Sequence, residues 1–120
     1  MMKEITVYIG GKVSGQTPEE YHAKFEAARQ WLLDLAYCIW MEDNVKVIIP
    51  MDLCQDDWNW FKCMEVCASM LMQCDVLYLL PDWKESHGAT AEYYIAKAAN
   101  IQCVEIDEKQ WNEIQQRIKK

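Results

Sequence analysis

Histidine and closely paired cysteine are what this chain has least of. It carries two histidines, and its six cysteines include no C-x-x-C pair, so a zinc site lacks the usual ligand spacing. Cys63, Cys67 and Cys74 recur at intervals of four and seven, the spacing of a helical stripe, while Cys38, Cys54 and Cys103 stand singly. Buried cysteine behaves as a small hydrophobe, so reduced core thiols are expected and no metal is. Basic residues are also scarce: 12 Lys and Arg face 19 Asp and Glu, for a formal charge of −7. Nucleic-acid binders carry a basic footprint, so a nucleic-acid polymer is not an expected partner, although a few local donors suffice for one small phosphate. No apolar run approaches the ~20 residues of a membrane span, and "MMKEITVYIGG" lacks the apolar region and cleavage site of a secretory signal. These absences predict a cytoplasmic protein without a membrane partner. The P-loop and the G-x-G-x-x-G fingerprint are missing too, so no nucleoside triphosphate, dinucleotide or other cofactor is expected.

What is present suits one domain spanning residues 1–120, with no repeat, low-complexity tract or linker. A chain of that length buries roughly two thirds of its unfolded surface and needs no staples. Hydrophobic residues make up 52%, and six tryptophans imply a large core or an adhesive surface. Strand and helix signals alternate. "ITVYI" (Ile5–Ile9) is β-branched and ends in Gly10-Gly11. From Pro18 a long helix follows, with Tyr21, Phe25, Ala28, Leu32, Leu35 and Ile39 on one face and Thr17 as N-cap. "VKVII" (Val45–Ile49) is the second strand. A helix from about Trp58 to Gln73 has Phe61, Met64, Ala68 and Leu71 as its stripe. "VLYLL" (Val76–Leu80) is apolar throughout, as a central parallel strand is. A helix over about Ala89–Ala99, the strand Cys103–Ile106, and a closing helix carrying Trp111, Ile114 and Ile118 complete the chain. Arg117, Lys119 and Lys120 suit that last helix's C-terminal dipole. The alternation predicts an α/β, flavodoxin-like (Rossmann-like) three-layer sandwich with a four-stranded parallel sheet in the order 2-1-3-4.

In such folds the ligand crevice lies beyond the C-terminal strand ends, where the strand order reverses. Two loops meet there: "GGKVSGQT" after strand 1 and "LPDWKESHGATAEYY" after strand 3. Gly10, Gly11 and Gly15 let the first loop approach a ligand, and Lys12, Ser14 and Thr17 add donors. In the second, Glu92 falls in the opening turns of a helix, whose dipole is expected to keep it ionised. A capping box there would need Ala89 as its cap, and alanine cannot serve. Asp75, before the central strand, and Asp82, just beyond it, are the other carboxylates near the expected crevice. Paired carboxylates permit glycosidic chemistry, one attacking the anomeric carbon and another handling the leaving-group proton. Trp83 offers a stacking face, and Ser86, His87 and Gly88 offer donors, though each is equally at home in an ordinary solvated loop. His87 has no nucleophile paired with it in sequence, and His22 belongs to a helix surface.

Together these segments resemble a known family. The runs "VYIGGKVSGQTPEEYHAKFEAA" and "DDWNWFKCMEVCASMLMQCDVLYLLPDWKESHGATAEYYIAKAANIQCVEI" resemble the DUF4406 family over Ile5 to about Ile106. That family is similar to the nucleoside 2-deoxyribosyltransferases and the deoxynucleotide N-hydrolases. The resemblance implies a nucleoside deoxyribosyltransferase-like fold, a nucleoside or nucleotide as small-molecule partner, and a homodimer or larger homo-oligomer. It implies that Glu92 is the nucleophile toward C1′ of deoxyribose, with Asp75, and Asp82 as a possible substitute acid, as the other catalytic candidates. The substrate-binding candidates are Tyr8, Gly10, Gly11, Lys12, Ser14, Trp83, Ser86, His87 and Gly88. One departure stands out: the transferases carry a catalytic aspartate about two turns before the Asp75 position, where this chain has Cys67.

The leading expectation is therefore an enzyme of the N-glycosidic bond, hydrolase or transferase, with the base near Trp83. The alternatives are a non-catalytic nucleotide-binding module with the same crevice, and a structural homo-oligomer in which Trp58 and Trp60 are interface residues.

Overall fold

The computed structural model describes residues 4–40, 44–55 and 57–118, apart from the side chains of residues 38–40. The side chains of Cys38 and Ile39, and Lys119 and Lys120, all read above, lie outside what is described. In chain order the elements are β1 (Ile5–Gly10), α1 (Pro18–Trp40), β2 (Val45–Ile48), α2 (Trp60–Leu71), β3 (Val76–Leu79), α3 (His87–Ala98), β4 (Gln102–Glu105) and α4 (Glu108–Ile118). Short 3-10 turns, Pro50–Asp52 and Trp83–Glu85, follow β2 and β3.

The strands form one parallel sheet ordered β2-β1-β3-β4, as the alternation predicts. Side chains alternate across a strand, and β1 uses that alternation to build two cores. Val7 and Ile9 face α1 and α4, packing with Phe25, Leu32 and Ile114. Tyr8 points the other way, toward α2 and α3, and packs with Cys67, Leu71 and Ala96. The result is three layers, helix on sheet on helix. No helix among the described residues is long and apolar enough to cross a membrane.

Helix starts follow from local hydrogen bonding. Thr17 caps α1 with Glu20 in a reciprocal box, Glu20 N–H to Thr17 Oγ1 at 3.2 Å and Thr17 N–H to Glu20 Oε1 at 3.1 Å. Asn59 caps α2 by accepting from Lys62 N–H at 2.8 Å, so this helix begins two residues later than the apolar pattern suggests. Of its expected stripe Leu71 is buried as read, but Phe61 is 77% exposed and Cys67 turns inward instead. Ser86 caps α3, accepting from Ala89 N–H at 3.1 Å, so α3 starts at His87 instead of Ala89. Ala89, Glu92 and Ala96, spaced at three and four, are its buried face. That earlier start puts Glu92 two residues, about half a turn, deeper in the helix than the sequence suggests.

Candidate active site

At the C-terminal ends of β1 and β3 lies a cleft of about 370 Å3. Its floor is Tyr8 and Glu92, with the Tyr8 hydroxyl donating to Glu92 Oε2 at 2.5 Å. Both residues are almost wholly buried, Tyr8 at 0% and Glu92 at 4% exposure. The pair exists because β1 aims Tyr8 at α3 while the i, i+3, i+7 face of α3 aims Glu92 back at the sheet. Gly10 ends β1 beside the carboxylate; a Cβ there would sit 3.6 Å from Glu92 Oε1 and 3.4 Å from Leu77 and Leu79, ordinary contact distances that leave the pair undisturbed.

Burial pushes the Glu92 carboxyl up to about 7, and the Tyr8 hydroxyl, by bonding the charged form, holds it lower than burial alone would. The Tyr8 phenol is itself raised, by burial first and then by the Glu92 charge. The expectation that the helix dipole keeps Glu92 fully ionised is thus corrected. Glu92 is the sixth residue of α3, past the first turn where the dipole acts strongly, and desolvation wins. A carboxyl poised near neutrality, in a cleft, is a common mark of a functional site.

The two loops bordering the cleft are tied together by a part-buried ion pair. Asp82 Oδ1 accepts from Lys12 N–H at 2.9 Å, and Asp82 Oδ2 accepts from Lys24 Nζ at 2.8 Å. Lys24 Nζ also donates to the Lys12 carbonyl at 2.5 Å, and its side chain is only 7% exposed. Gly11 is required by a close approach: a Cβ there would lie 2.7 Å from Leu80 Cδ1. Backbone pairing of Leu80 N–H to the Gly10 carbonyl at 2.8 Å carries the same contact one residue back.

Of the residues singled out in sequence, the cleft gathers Tyr8, Gly11, Ser14, Ser86, His87, Gly88 and Glu92. Five others do not line it: Gly10, which ends β1 beside Glu92, and four that are engaged elsewhere. Asp75 precedes β3 and so lies at the opposite end of the sheet, where its carboxylate accepts from Thr6 N–H at 2.9 Å. Asp82 has both oxygens engaged in the loop clip and does not line the cleft. Lys12 contributes its backbone to that clip, while its ammonium lies 4.0 Å from the exposed Glu85. Trp83 is 8% exposed, stacked on Tyr93 with ring centres 4.7 Å apart, and donates to Glu105 Oε1 at 3.0 Å. It braces α3 against β4 and offers no free face.

The aromatic wall comes instead from Trp58, Trp60 and Tyr21. Cys54, Cys63, Met64 and Cys67 complete that side, so the segment after β2 and the inner face of α2 supply what the sequence assigned to the β3 loop. Cysteine, methionine and tryptophan read as core in a sequence; only Cys67, matched to the relatives' aspartate, signalled the wall. Gly88 lets α3 close on this side, since a Cβ there would meet Met64 Sδ at 3.3 Å. A wider groove of about 870 Å3 runs between α1 and α4, but it is an open surface trough bordered by the Arg117–Asp34 ion pair at 2.7 Å. Among the described residues no cluster of three or more His, Cys, Asp or Glu is arranged to hold a metal.

Among curated proteins, none matches this sequence. The fold is similar to that of a 2-desoxiribosyltransferase from Leishmania mexicana, with a TM-score of 0.61 and 18% identity. The match covers 86% of this chain and 65% of that one, so the chain spans a little under two thirds of its neighbour. At such identity the likeness shows the fold, a Rossmann-like α/β sandwich. The family whose description is "Domain of unknown function (DUF4406)" matches residues 5–105, and this chain belongs to it.

Proposed function

We propose that the cleft binds a nucleoside and that Glu92 attacks C1′ of its deoxyribose, breaking the bond to the base. The observation carrying this reading is the buried Glu92 carboxyl, held by Tyr8 at the floor of a cleft with an aromatic wall. The cleft's volume falls within the ~300–1,000 Å3 usual for small-ligand sites. Bases stack well on aromatic faces, and Trp58, Trp60 and Tyr21 supply such faces in the cleft wall. Sugar hydroxyls find Ser14, Ser86 and His87 on the other side. Ser86 accepts one bond as a cap, and a hydroxyl that accepts still has a hydrogen to donate.

The chemistry follows from the poise of Glu92. With a carboxyl near 7, about half the molecules carry the charged nucleophile at neutral pH. The carboxylate bonds to C1′ as the C1′–N bond breaks, and the departing base takes a proton from solvent onto its ring nitrogen, a proton returned to solvent when water later attacks C1′. Water attacking C1′ then releases the sugar and restores Glu92; a second base in that position makes the step a transfer. Neither Lys nor Arg lines the cleft among the described residues, so a 5′-phosphate would rest on the first turn of α3 at His87 and Gly88.

A second reading, a binding module without turnover, is favoured by one observation. Glu92 is the single carboxylate lining the cleft among the described residues, Cys67 standing where the transferases are described above as having an acid. The discriminating experiment incubates purified protein with deoxynucleosides and their 5′-monophosphates and follows free base by chromatography, beside Glu92→Gln. Base released by the wild type alone supports the enzyme. Ligand binding that survives Glu92→Gln, with no base released, supports the binding module. Cytoplasmic residence and a homo-oligomer complete the proposal; exposed Phe61 (77%) and Tyr94 (66%) offer apolar surface to a second copy, and light scattering would count the subunits.

A further inference from the structure

We propose that Cys54 and Cys67 form an oxidation site in the cleft wall: a disulfide between them ties the segment after β2 to α2 and draws the Cys67 sulfur away from Tyr8. The bearing of this site on function rests on the nucleoside reading above; the site itself does not.

The two sulfurs are 3.4 Å apart. A disulfide is about 2.05 Å long, so they need to approach by only about 1.4 Å. Cys54 lies between the Pro50–Asp52 turn and α2, half-buried and open to the cleft. Cys67 is 3% exposed on the inner face of α2, where its thiol is within hydrogen-bonding reach of the Tyr8 hydroxyl. Tyr8 in turn donates to Glu92, so the sulfur that would enter the bond touches the pair at the floor of the cleft. The ionisable groups facing the two thiols are Tyr8, Cys63 and Glu92. No cation is among them to hold a thiolate, and the Glu92 carboxylate is engaged by Tyr8, which makes the pair a slow latch and not a fast sensor.

The oxidant we name is a hydroperoxide, entering through the cleft to Cys54. The Cys54 sulfur attacks the O–O bond, becoming a sulfenic acid and releasing water from hydrogen peroxide. The Cys67 sulfur then displaces the sulfenic oxygen as a second water, forming the S–S bond. Two thiols lose two electrons and two protons, and one peroxide becomes two waters. Burial raises both thiols, so little thiolate is present at neutral pH and the reaction accelerates as pH rises. The same weak acidity makes both sulfurs poor leaving groups, so a dithiol reopens the bond slowly.

The test treats the full chain with hydrogen peroxide at pH 7 and pH 9, blocks free thiols and maps linked peptides by mass. The expected result is a Cys54–Cys67 cross-link, faster at pH 9, absent from Cys54→Ser and from Cys67→Ser, and reversed by dithiothreitol. Closing so short a loop should raise Tm by several degrees, roughly 10 °C at most, in the wild type and not in Cys54→Ser. A link from Cys54 to Cys63, or thiols still free after Cys63 has been oxidised, overturns the site. Base release by oxidised wild type should fall at least tenfold below that of the reduced protein. Equal release from both forms overturns the link to function. If the reduced protein releases no base at all, the nucleoside reading fails, and the peptide map still decides the oxidation site.

Discussion

Replacing Glu92 by glutamine should remove a pH-dependent loss of stability whose size is set by burial. Folded Glu92 titrates near 7 against an ordinary value of 4.5, so between those values the folded chain holds more protons than the unfolded one. Stability then falls as pH rises from 4.5 to about 7, because the unfolded chain ionises Glu92 while burial keeps the folded carboxyl protonated, and it levels off above about 7, where both forms are ionised. Integrated over two and a half units the loss is about 3.4 kcal/mol, of which about 2.5 kcal/mol falls between pH 5 and pH 8. Glutamine changes local packing and hydrogen bonding by an offset that does not depend on pH in this range. The informative quantity is therefore the wild-type-minus-variant difference, measured by urea unfolding at pH 5, 6, 7 and 8. It should move by about 2 kcal/mol or more in the variant's favour, falling steadily from pH 5 and levelling off above about pH 7. A difference flat to within about 0.5 kcal/mol would show Glu92 titrating normally and would refute the desolvation argument.

The other predictions concern the supports around that carboxyl. Tyr8→Phe removes the bond that favours the charged form, so the rising limb of kcat/KM against pH should shift upward and activity at pH 7 should drop roughly tenfold; an unmoved limb would separate Tyr8 from Glu92. Lys24→Met strands Asp82 and the Lys12 carbonyl and should cost about 3 kcal/mol in urea unfolding, with a stability equal to wild type contradicting the clip. Gly11→Ala forces a methyl against Leu80 and should cost about 1–3 kcal/mol, whereas an unchanged Tm would mean the loop yields without strain.

Much of the architecture was legible because parallel α/β folds repeat one rule. "VLYLL" reads as a central strand from its unbroken apolar run, and β3 indeed has neighbours on both sides. Glu92 was legible as a candidate from its place after a glycine-containing loop. The misplaced acids show what proximity in sequence leaves open. Asp75 precedes a strand whose far end borders the cleft, and in an all-parallel sheet such a residue always lies at the wrong edge. Asp82 is on the correct edge, but its partners are Lys24, 58 positions away, and a backbone amide 70 positions away, neither visible in a local pattern. Trp83 and Trp58 look alike in a loop; which becomes a brace and which a wall depends on Glu105 and Tyr93 meeting the first. The thiol wall was hidden for a similar reason, since helical spacing of Cys63 and Cys67 fits a core stripe and a cleft lining equally.

The central claim is that Glu92 forms a bond to the sugar. Its most direct test mixes the protein with a 2′-fluoro-2′-deoxyarabinosyl nucleoside, in which fluorine slows release of the bound sugar, quenches in acid, and weighs the protein. The account predicts a mass gain of one fluorodeoxyribosyl group, located on the peptide carrying Glu92 and absent from Glu92→Gln. Base released without any adduct, or an adduct on another residue, would contradict it.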